Sequence, residues 1–337
     1  MTLVLVTTEF NPLRGGIGRF LNDLYQELPA ENTMVIDDPG ITRPHWLFAV
    51  PRIITKLRGI SDPVLHVNHV LPLGTIALSL KWLLGIKFVV TLHGMDFFMA
   101  KSVLRKRFLL KRILRSAKLV TVNSAALGAE VQEFCGQVNL LVLRPCLSKS
   151  MSETKPSFLR QRRPLIVALA RFVERKGLET AIVALRYLPE YELVIGGDGP
   201  LKKKLLQLVH DFGLKHRVKF VGWIDDAAKI ELFQEASVFV LPTKIIGPDR
   251  EAFGIVYLEA QSFGLPVVAG EGIGVTEALH PKLRSLAVAH TPESVAKAVR
   301  LLEKSSPKPE ELREYALYFD PKINAGRFWK AVKHAVK

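Results

Sequence analysis

The chain has 337 residues, 48% of them apolar and 23% charged, with a formal net charge of +15 and two cysteines. That length exceeds one ordinary core and suits two domains of roughly 150 residues each. No tract is compositionally biased, so a folded globular protein is expected. Two cysteines, Cys135 and Cys146, exclude a disulfide framework and fit a reducing compartment, and no Cys/His spacing suggests zinc.

The first element is the run TLVLVTT, which leads straight into Glu9. Lacking a basic leader and a cleavage region, it reads as a strand rather than a signal peptide, so a cytoplasmic location is expected. Further strands are expected at 34–36 and 64–69. The apolar stretch from Val70 to Val90 is interrupted by Pro72, Lys81, Lys87 and two glycines. It divides into a helix ending near Gly85 and a strand at 87–93, instead of one membrane span.

The charge excess is steeper in the first half: residues 1–160 carry 20 Lys/Arg against 11 Asp/Glu, and residues 161–337 carry 27 against 21. It peaks in KSVLRKRFLLKRILRSAK, residues 101–118, with eight basic and no acidic side chains at helical spacing. Lys101, Arg105 and Arg112 form one basic row, and Arg107, Lys111, Arg115 and Lys118 another, beside Leu104, Phe108 and Leu110. Such a helix suits an anionic bilayer surface and hence peripheral membrane contact; a phosphorylated substrate would also be attracted. The plainer reading is a solvated face whose Val103, Phe108, Leu109 and Ile113 pack on a sheet.

Strands at 119–123 and 140–145 complete the first half, and the polar, proline-bearing stretch 148–163 reads as a linker. The second half restarts the alternation, with strands expected at 165–170, 192–197, 218–223, 238–242, 266–270 and 285–290. These are continuous Val/Ile/Leu runs, as strands buried on both faces of a parallel sheet require. A final amphipathic helix beyond Pro321 carries Phe328, Trp329 and Val332.

Five segments at strand ends carry candidate chemistry. In EFNPLRGGIGRF, residues 9–20, Gly15, Gly16 and Gly18 allow close backbone approach, and a following helix would aim amides at an anion. In ALARFVERKG, residues 168–177, Arg171 and Lys176 can clamp a diphosphate, unless they are surface charge paired with Glu174. VIGGDGP, residues 194–200, is a tight glycine turn. EAFGIVYLEAQSFGLPVVAG, residues 251–270, sets Glu251 before a Phe253–Gly254 turn and Glu259 two helical turns on. Both carboxylates could accept hydrogen bonds from hydroxyls, or simply face solvent. In TLHGMDFF, residues 91–98, His93 ends a strand, where it can orient a hydroxyl or merely satisfy a carbonyl.

Together, and in this order, the segments resemble the retaining glycosyltransferases of family 4, in motif style those acting on bacterial lipids and polysaccharides. The resemblance spans almost the whole chain, and its most specific element is the glutamate pair Glu251 and Glu259. It implies an α/β GT-B fold: two Rossmann-like parallel-sheet domains facing across a cleft, at 1–155 and 164–318, with a helix at 319–337 crossing back onto the first. The first would bind the acceptor and the second the nucleotide sugar, GDP- or UDP-linked.

By this resemblance Arg171 and Lys176 serve the donor diphosphate, Glu251 the 3- and 4-hydroxyls of the transferred sugar, and Glu259 the ribose. Gly15 and Gly16 match a loop over the phosphate and acceptor region, Gly254, Ile255 and Val256 a phosphate-facing turn, and His93 a histidine near the sugar 6-hydroxyl. Front-side displacement is implied, with a hexose passing to a lipid-linked or envelope-glycan hydroxyl and no metal or other cofactor. Ile273 and Thr276 in GEGIGVTE, and RPCLS in place of a Pro-Asn-Gly turn, depart from the family pattern. A two-domain nucleotide-sugar epimerase is the competing enzyme. A nucleic-acid binder rests on charge alone, without helix-turn-helix, zinc or interleaved aromatics.

Overall fold

In the computed structural model of the protein, residues 1–10, 15–38, 48–156, 163–287 and 290–337 are described. They divide into two compact units, residues 1–146 with 320–337, and residues 147–319.

The first unit runs β1 (Thr2–Thr7), α1 (Gly15–Gln26), β2 (Thr33–Asp37), α2 (Ala49–Leu57), β3 (Pro63–Asn68), α3 (Leu73–Leu84), β4 (Lys87–Leu92), α4 (Met95–Lys101), α5 (Leu104–Ser116), β5 (Leu119–Val122), α6 (Ala125–Cys135) and β6 (Leu140–Val142). Among the described residues its strands form one parallel sheet in the order β2-β1-β3-β4-β5-β6. Strands β3, β4 and β5 are buried almost end to end, which is why their sequences are continuous apolar runs. Gly85, at a φ of 70°, stops α3 as a left-handed cap.

The basic stretch 101–118 is not one helix. It breaks at Ser102–Val103, where Val103 is extended and the Ser102 hydroxyl donates back to the Met99 carbonyl at 3.0 Å. Serine side chains that bond the backbone in this way compete with the helical ladder. Of the apolar residues there, Leu110, Ile113 and Leu114 are buried, whereas Leu104 and Phe108 are 80% and 72% exposed.

The second unit runs α7 (Lys149–Glu153), β7 (Leu165–Leu169), α8 (Leu178–Ala184), β8 (Glu192–Gly196), α9 (Lys202–Asp211), β9 (Val218–Gly222), α10 (Asp226–Glu235), β10 (Val238–Leu241), α11 (Ile255–Ser262), β11 (Val267–Ala269), α12 (Val275–Ala278), α13 (Pro292–Lys304) and α14 (Pro309–Leu317). Its described strands form a parallel sheet ordered β11-β10-β7-β8-β9. The stretch 148–163 is not wholly linker. Ser148 caps α7, and Met151 is fully buried in the second unit's core, so the division falls at Cys146/Leu147, ahead of residue 155.

The strand expected at 285–290 is absent from the described residues; residues 288 and 289 lie outside them. Pro281–Leu286 is a short 3₁₀ helix instead, started by Pro281 in its first turn and by His280 Nδ1 accepting from the Lys282 amide at 3.3 Å.

The chain ends in α15 (Pro321–Val336), capped by Asp320. Ala325, Phe328, Val332 and Val336 are buried in the first unit's core with Leu3, Leu5, Phe20 and Leu24. Lys87 Nζ donates to the Val336 carbonyl at 2.5 Å, tying the last turn to the start of β4.

Candidate active site

In open parallel sheets, ligands bind outside the carboxyl ends of the strands where the strand order reverses. In the second sheet that place lies between β7 and β10. The segment after β7 carries Arg171, Arg175 and Lys176, and the segment after β10 carries Asp249 and Glu251. The Lys244 amide donates to the Arg175 carbonyl at 2.7 Å and draws the two segments together.

Lys176 Nζ meets Glu251 Oε2 at 2.5 Å, Arg175 Nε stands 3.9 Å from the same oxygen, and Arg175 also pairs with Asp249 at 3.1 Å. Burial pushes the Glu251 carboxyl upward, but the charge and hydrogen bond of Lys176, helped by Arg175, outweigh it and hold the group below the usual glutamate range. Glu251 is therefore a fixed carboxylate, and Oε1 has no hydrogen-bond partner among the described residues. Lys176 does not stand as an isolated cation, and Glu174 is not its partner. Arg171 is exposed, with no ion-pair partner among the described residues. The 194–200 turn passes directly under it: a β-carbon on Gly197 would lie 1.9 Å from the Ala170 carbonyl oxygen, so only glycine fits.

Glu251 is also pinned from the far side. It bridges to Gly272, and its carbonyl accepts from the Ile273 amide at 2.8 Å, so the departing GEGIG turn sets its position. Gly254, at a φ of 82°, then turns the chain into α11; a β-carbon there would meet the Tyr257 ring at 2.3 Å. No side chain caps α11, so the first-turn amides of Ile255 and Val256 face an uncapped helix end. Glu259 is buried on the same helix and pairs with Lys229 Nζ of α10 at 3.1 Å. Lys229 also contacts Asp226 at 3.3 Å, while Asp225 caps α10 through the Ala228 amide.

In the first unit, Gly15 and Gly16 form the amino end of α1 rather than a loop, and residues 11–14 of the glycine segment lie outside the described residues. Gly16 has open space where a β-carbon would stand. Phe20 of α1 meets the half-buried His93 ring edge-on at 5.9 Å. The His93 amide donates to Asp96 at 3.0 Å, and its carbonyl accepts from Asn123 at 3.1 Å. Burial first, then the neighbouring His69 and His66, hold the His93 ring well below its ordinary range, so it is neutral.

Beneath it runs a buried chain. The Tyr25 hydroxyl lies 2.8 Å from His66 Nδ1, His66 Nε2 lies 2.7 Å from Thr91 Oγ1, and Thr91 lies 2.5 Å from Thr121. One ring nitrogen donates and the other accepts, which suits a neutral imidazole; burial pushes His66 down to about 3.

Sequence reasoning brought forward Arg171, Lys176, Glu251 and Glu259 but not Arg175, Asp249 or Lys229, which ion-pair with them or with one another. Arg175 is adjacent to Lys176 in VERKG, a signal that was available; Lys229 becomes visible only when α10 packs beside α11. Among the described residues, no group of three or more His, Cys, Asp or Glu side chains is gathered to hold a metal ion.

Comparison with known proteins fits this geometry. Residues 151–317 match the family model for glycosyl transferases group 1, and residues 26–141 that for glycosyltransferase family 4. The chain is a glycosyltransferase of the GT-B fold. It is 27% identical, over 88% of both chains, to the GDP-mannose-dependent alpha-(1-6)-phosphatidylinositol monomannoside mannosyltransferase of Mycobacterium tuberculosis. The Mycolicibacterium smegmatis enzyme of the same description is 29% identical over 82% of both chains. Among solved structures, Anabaena HepE in complex with UDP superposes with a TM-score of 0.81 at 18% identity, covering 99% of this glycosyltransferase and all of that chain. Sucrose-phosphate synthase from Thermosynechococcus elongatus gives 0.80 at 19%, with the same coverage. At those identities the likeness is one of fold.

Proposed function

We propose that this glycosyltransferase moves a hexose, with retention, from a GDP- or UDP-linked donor to a hydroxyl of a lipid-linked or cell-envelope glycan. On this reading the second unit binds the donor and the first the acceptor. The observation that carries it is the cluster of Arg171, Arg175, Lys176 and Glu251 where the second sheet reverses its order. Arg171, Lys176 and the α11 amides of Ile255 and Val256 meet the diphosphate and stabilise the charge that grows on it as the glycosidic bond breaks. Glu251, held ionised, accepts hydrogen bonds from the 3- and 4-hydroxyls of the sugar, and Glu259 binds the ribose. The departing phosphate oxygen takes the proton of the incoming hydroxyl on the same face. This differs from hydrolysis by two carboxylates, since Glu251 is assigned to hydroxyls and not to the anomeric carbon. The amino end of α1 at Gly15 and Gly16, and the neutral His93 ring, serve the sugar and acceptor from the first unit.

The relatives matched over 88% and 82% of both chains are phosphatidylinositol monomannoside mannosyltransferases, which supports a lipid-linked acceptor. The surface that fits an anionic bilayer is narrower than the 101–118 stretch. Leu104, Phe108 and Arg112 repeat every fourth residue along α5, and Arg112 stacks 4.3 Å from the ring of the exposed Trp82 on α3. No described helix is long and apolar enough to cross a membrane.

Thermal-shift titration with GDP, UDP and ADP tests the core of the reading, because a bound nucleotide stabilises the native state by mass action. A shift with GDP or UDP is expected, and none with any of the three overturns donor binding. Product anomeric configuration, read by NMR, then tests retention, and nucleotide release only in the presence of acceptor separates transfer from epimerisation.

A further inference from the structure

The strands β1, β3, β4 and β5 of the first sheet end at one level, with Val6 beside Val67, Asn68 beside Thr91, and Thr91 beside Thr121. Just past those ends stand Glu9, His69, His93 and Asn123. The strand order of this sheet reverses between β1 and β3, so Glu9 and His69 flank the reversal.

Glu9 Oε1 lies 3.8 Å from His69 Nε2. That is too long for a hydrogen bond, yet one hydroxyl oxygen placed about 2.8 Å from each would touch both. The Asn68 amide nitrogen sits 3.4 Å from His69 Nδ1, which directs that nitrogen to accept and leaves the ring proton on Nε2, toward Glu9. The pair thus presents a donor and a charged acceptor to a single hydroxyl.

His69 has a φ of 101°, a conformation that residues with a β-carbon keep only where the surroundings impose it. Here the imposition is visible. The His69 amide donates to the Thr91 carbonyl at 3.1 Å, and the next amide, Val70, donates to Asp96 at 3.2 Å. The other oxygen of Asp96 accepts the His93 amide, so one carboxylate fixes the ends of β3 and β4, and the two rings stand 5.3 Å apart. Around them, Asn68 Oδ1, Asn123 Oδ1 and His93 Nε2 are buried and lack hydrogen-bond partners among the described residues; Asn68 is fully buried and Asn123 7% exposed. Such groups are costly unless a ligand satisfies them.

We propose that Glu9, Asn68, His69 and Asn123 form a polyol site that takes the vicinal hydroxyls of a pyranose or cyclitol. One hydroxyl bridges Glu9 and His69, and its neighbours donate to the two asparagine oxygens. The site rests on the reading of the first unit as the acceptor side, and it names the residues that select the acceptor.

Saturation-transfer NMR on the full chain, with methyl α-D-mannopyranoside and myo-inositol as probes and glycerol as control, tests it. Both rings are expected to bind, and Glu9→Gln and His69→Asn to weaken that binding about ten-fold, the scale of one charge-assisted hydrogen bond. Asparagine tolerates a positive φ, and Glu9→Gln alone carries the test if the His69 variant fails to fold. Lys176→Ala, in the second unit, should leave the signal intact. Absent binding by the wild type, or binding that survives Glu9→Gln but disappears in Lys176→Ala, overturns the site. GDP and UDP thermal shifts on the same samples keep the outcomes separate: a nucleotide response without polyol binding removes this site and leaves the transferase reading standing.

Discussion

At the order reversal of the second sheet stand three cations and two carboxylates, with Lys176 and Glu251 in direct contact. At that of the first sheet stand Glu9, His69 and His93, and the deeper polar chain contains only neutral hydroxyls and the His66 ring. Both sheets are parallel and wound outward from their first strand, so topology alone does not separate them. The difference lies in what the strand ends can hold: dense, compensated charge suits a diphosphate, whereas a single carboxylate among imidazoles and amides suits hydroxyls.

The strongest way to break this contrast is to empty the charged end. Arg171→Ala and Lys176→Ala should each lower turnover about 10²-fold or more, the scale for a group that stabilises developing charge. Glu251→Gln should lower turnover more than nucleotide affinity. Steady-state kinetics with separate GDP or UDP binding checks both, and near-normal turnover in the lysine and arginine variants would leave them as surface charges.

Next in size is Gly254→Ala, which must place a β-carbon against the Tyr257 ring at a positive φ. It should destabilise the second unit by about 2 kcal/mol or more, read by urea unfolding. Wild-type stability would show that α11 can turn without glycine.

Glu259→Gln should weaken nucleotide binding about ten-fold if its carboxylate accepts from the ribose. Lys229→Met separates that role from a purely internal ion pair: it also breaks the Lys229 contact, but should leave the ribose contact in place. Equal loss of nucleotide affinity in both variants would assign Glu259 to structure.

A pH effect sharpens the comparison from the first sheet. The folded pKa of His66 lies at about 3, below its ordinary value of 6.5, so the unfolded chain binds the extra proton first. Stability from this group is full above pH 6.5 and is lost as pH falls toward 3, by up to about 1.4 kcal/mol per pH unit. Urea midpoints measured from pH 7.5 down to 5 should fall in the wild type and fall less in His66→Gln. Parallel slopes would mean that the ring is not held neutral.

The fold was legible because strands buried on both faces write themselves as continuous runs; KFVVTLH and LIVALA can be little else between helical patterns. An apolar run does not by itself distinguish a strand from a helical turn: the first two residues of SLAVAH, Ser285 and Leu286, close the 3₁₀ helix that Pro281 starts, and residues 288 and 289 lie outside the described residues. Helical spacing also ran one helix through Ser102 and Val103, whose side-chain and backbone geometry break it. In the site, the individual charges were visible at strand ends, but their partners were not. Lys176 and Glu251 are 75 residues apart, and only the packing of the segments after β7 and β10 makes them a pair. The backbone of His69 was equally hidden, since no residue type in VNHV announces a positive φ.

The return of α15 to the first unit has a consequence for synthesis. The second unit is one uninterrupted segment, residues 147–319, and all of it is synthesised before α15. The first unit begins earlier and finishes later: Phe328, Val332 and Val336, which fill its core beside Leu3 and Leu5, are made only after the whole second unit. Domains generally fold as units, in order of emergence. Here that order is inverted: the core of the nascent first sheet stays incomplete until α15 follows the second unit out.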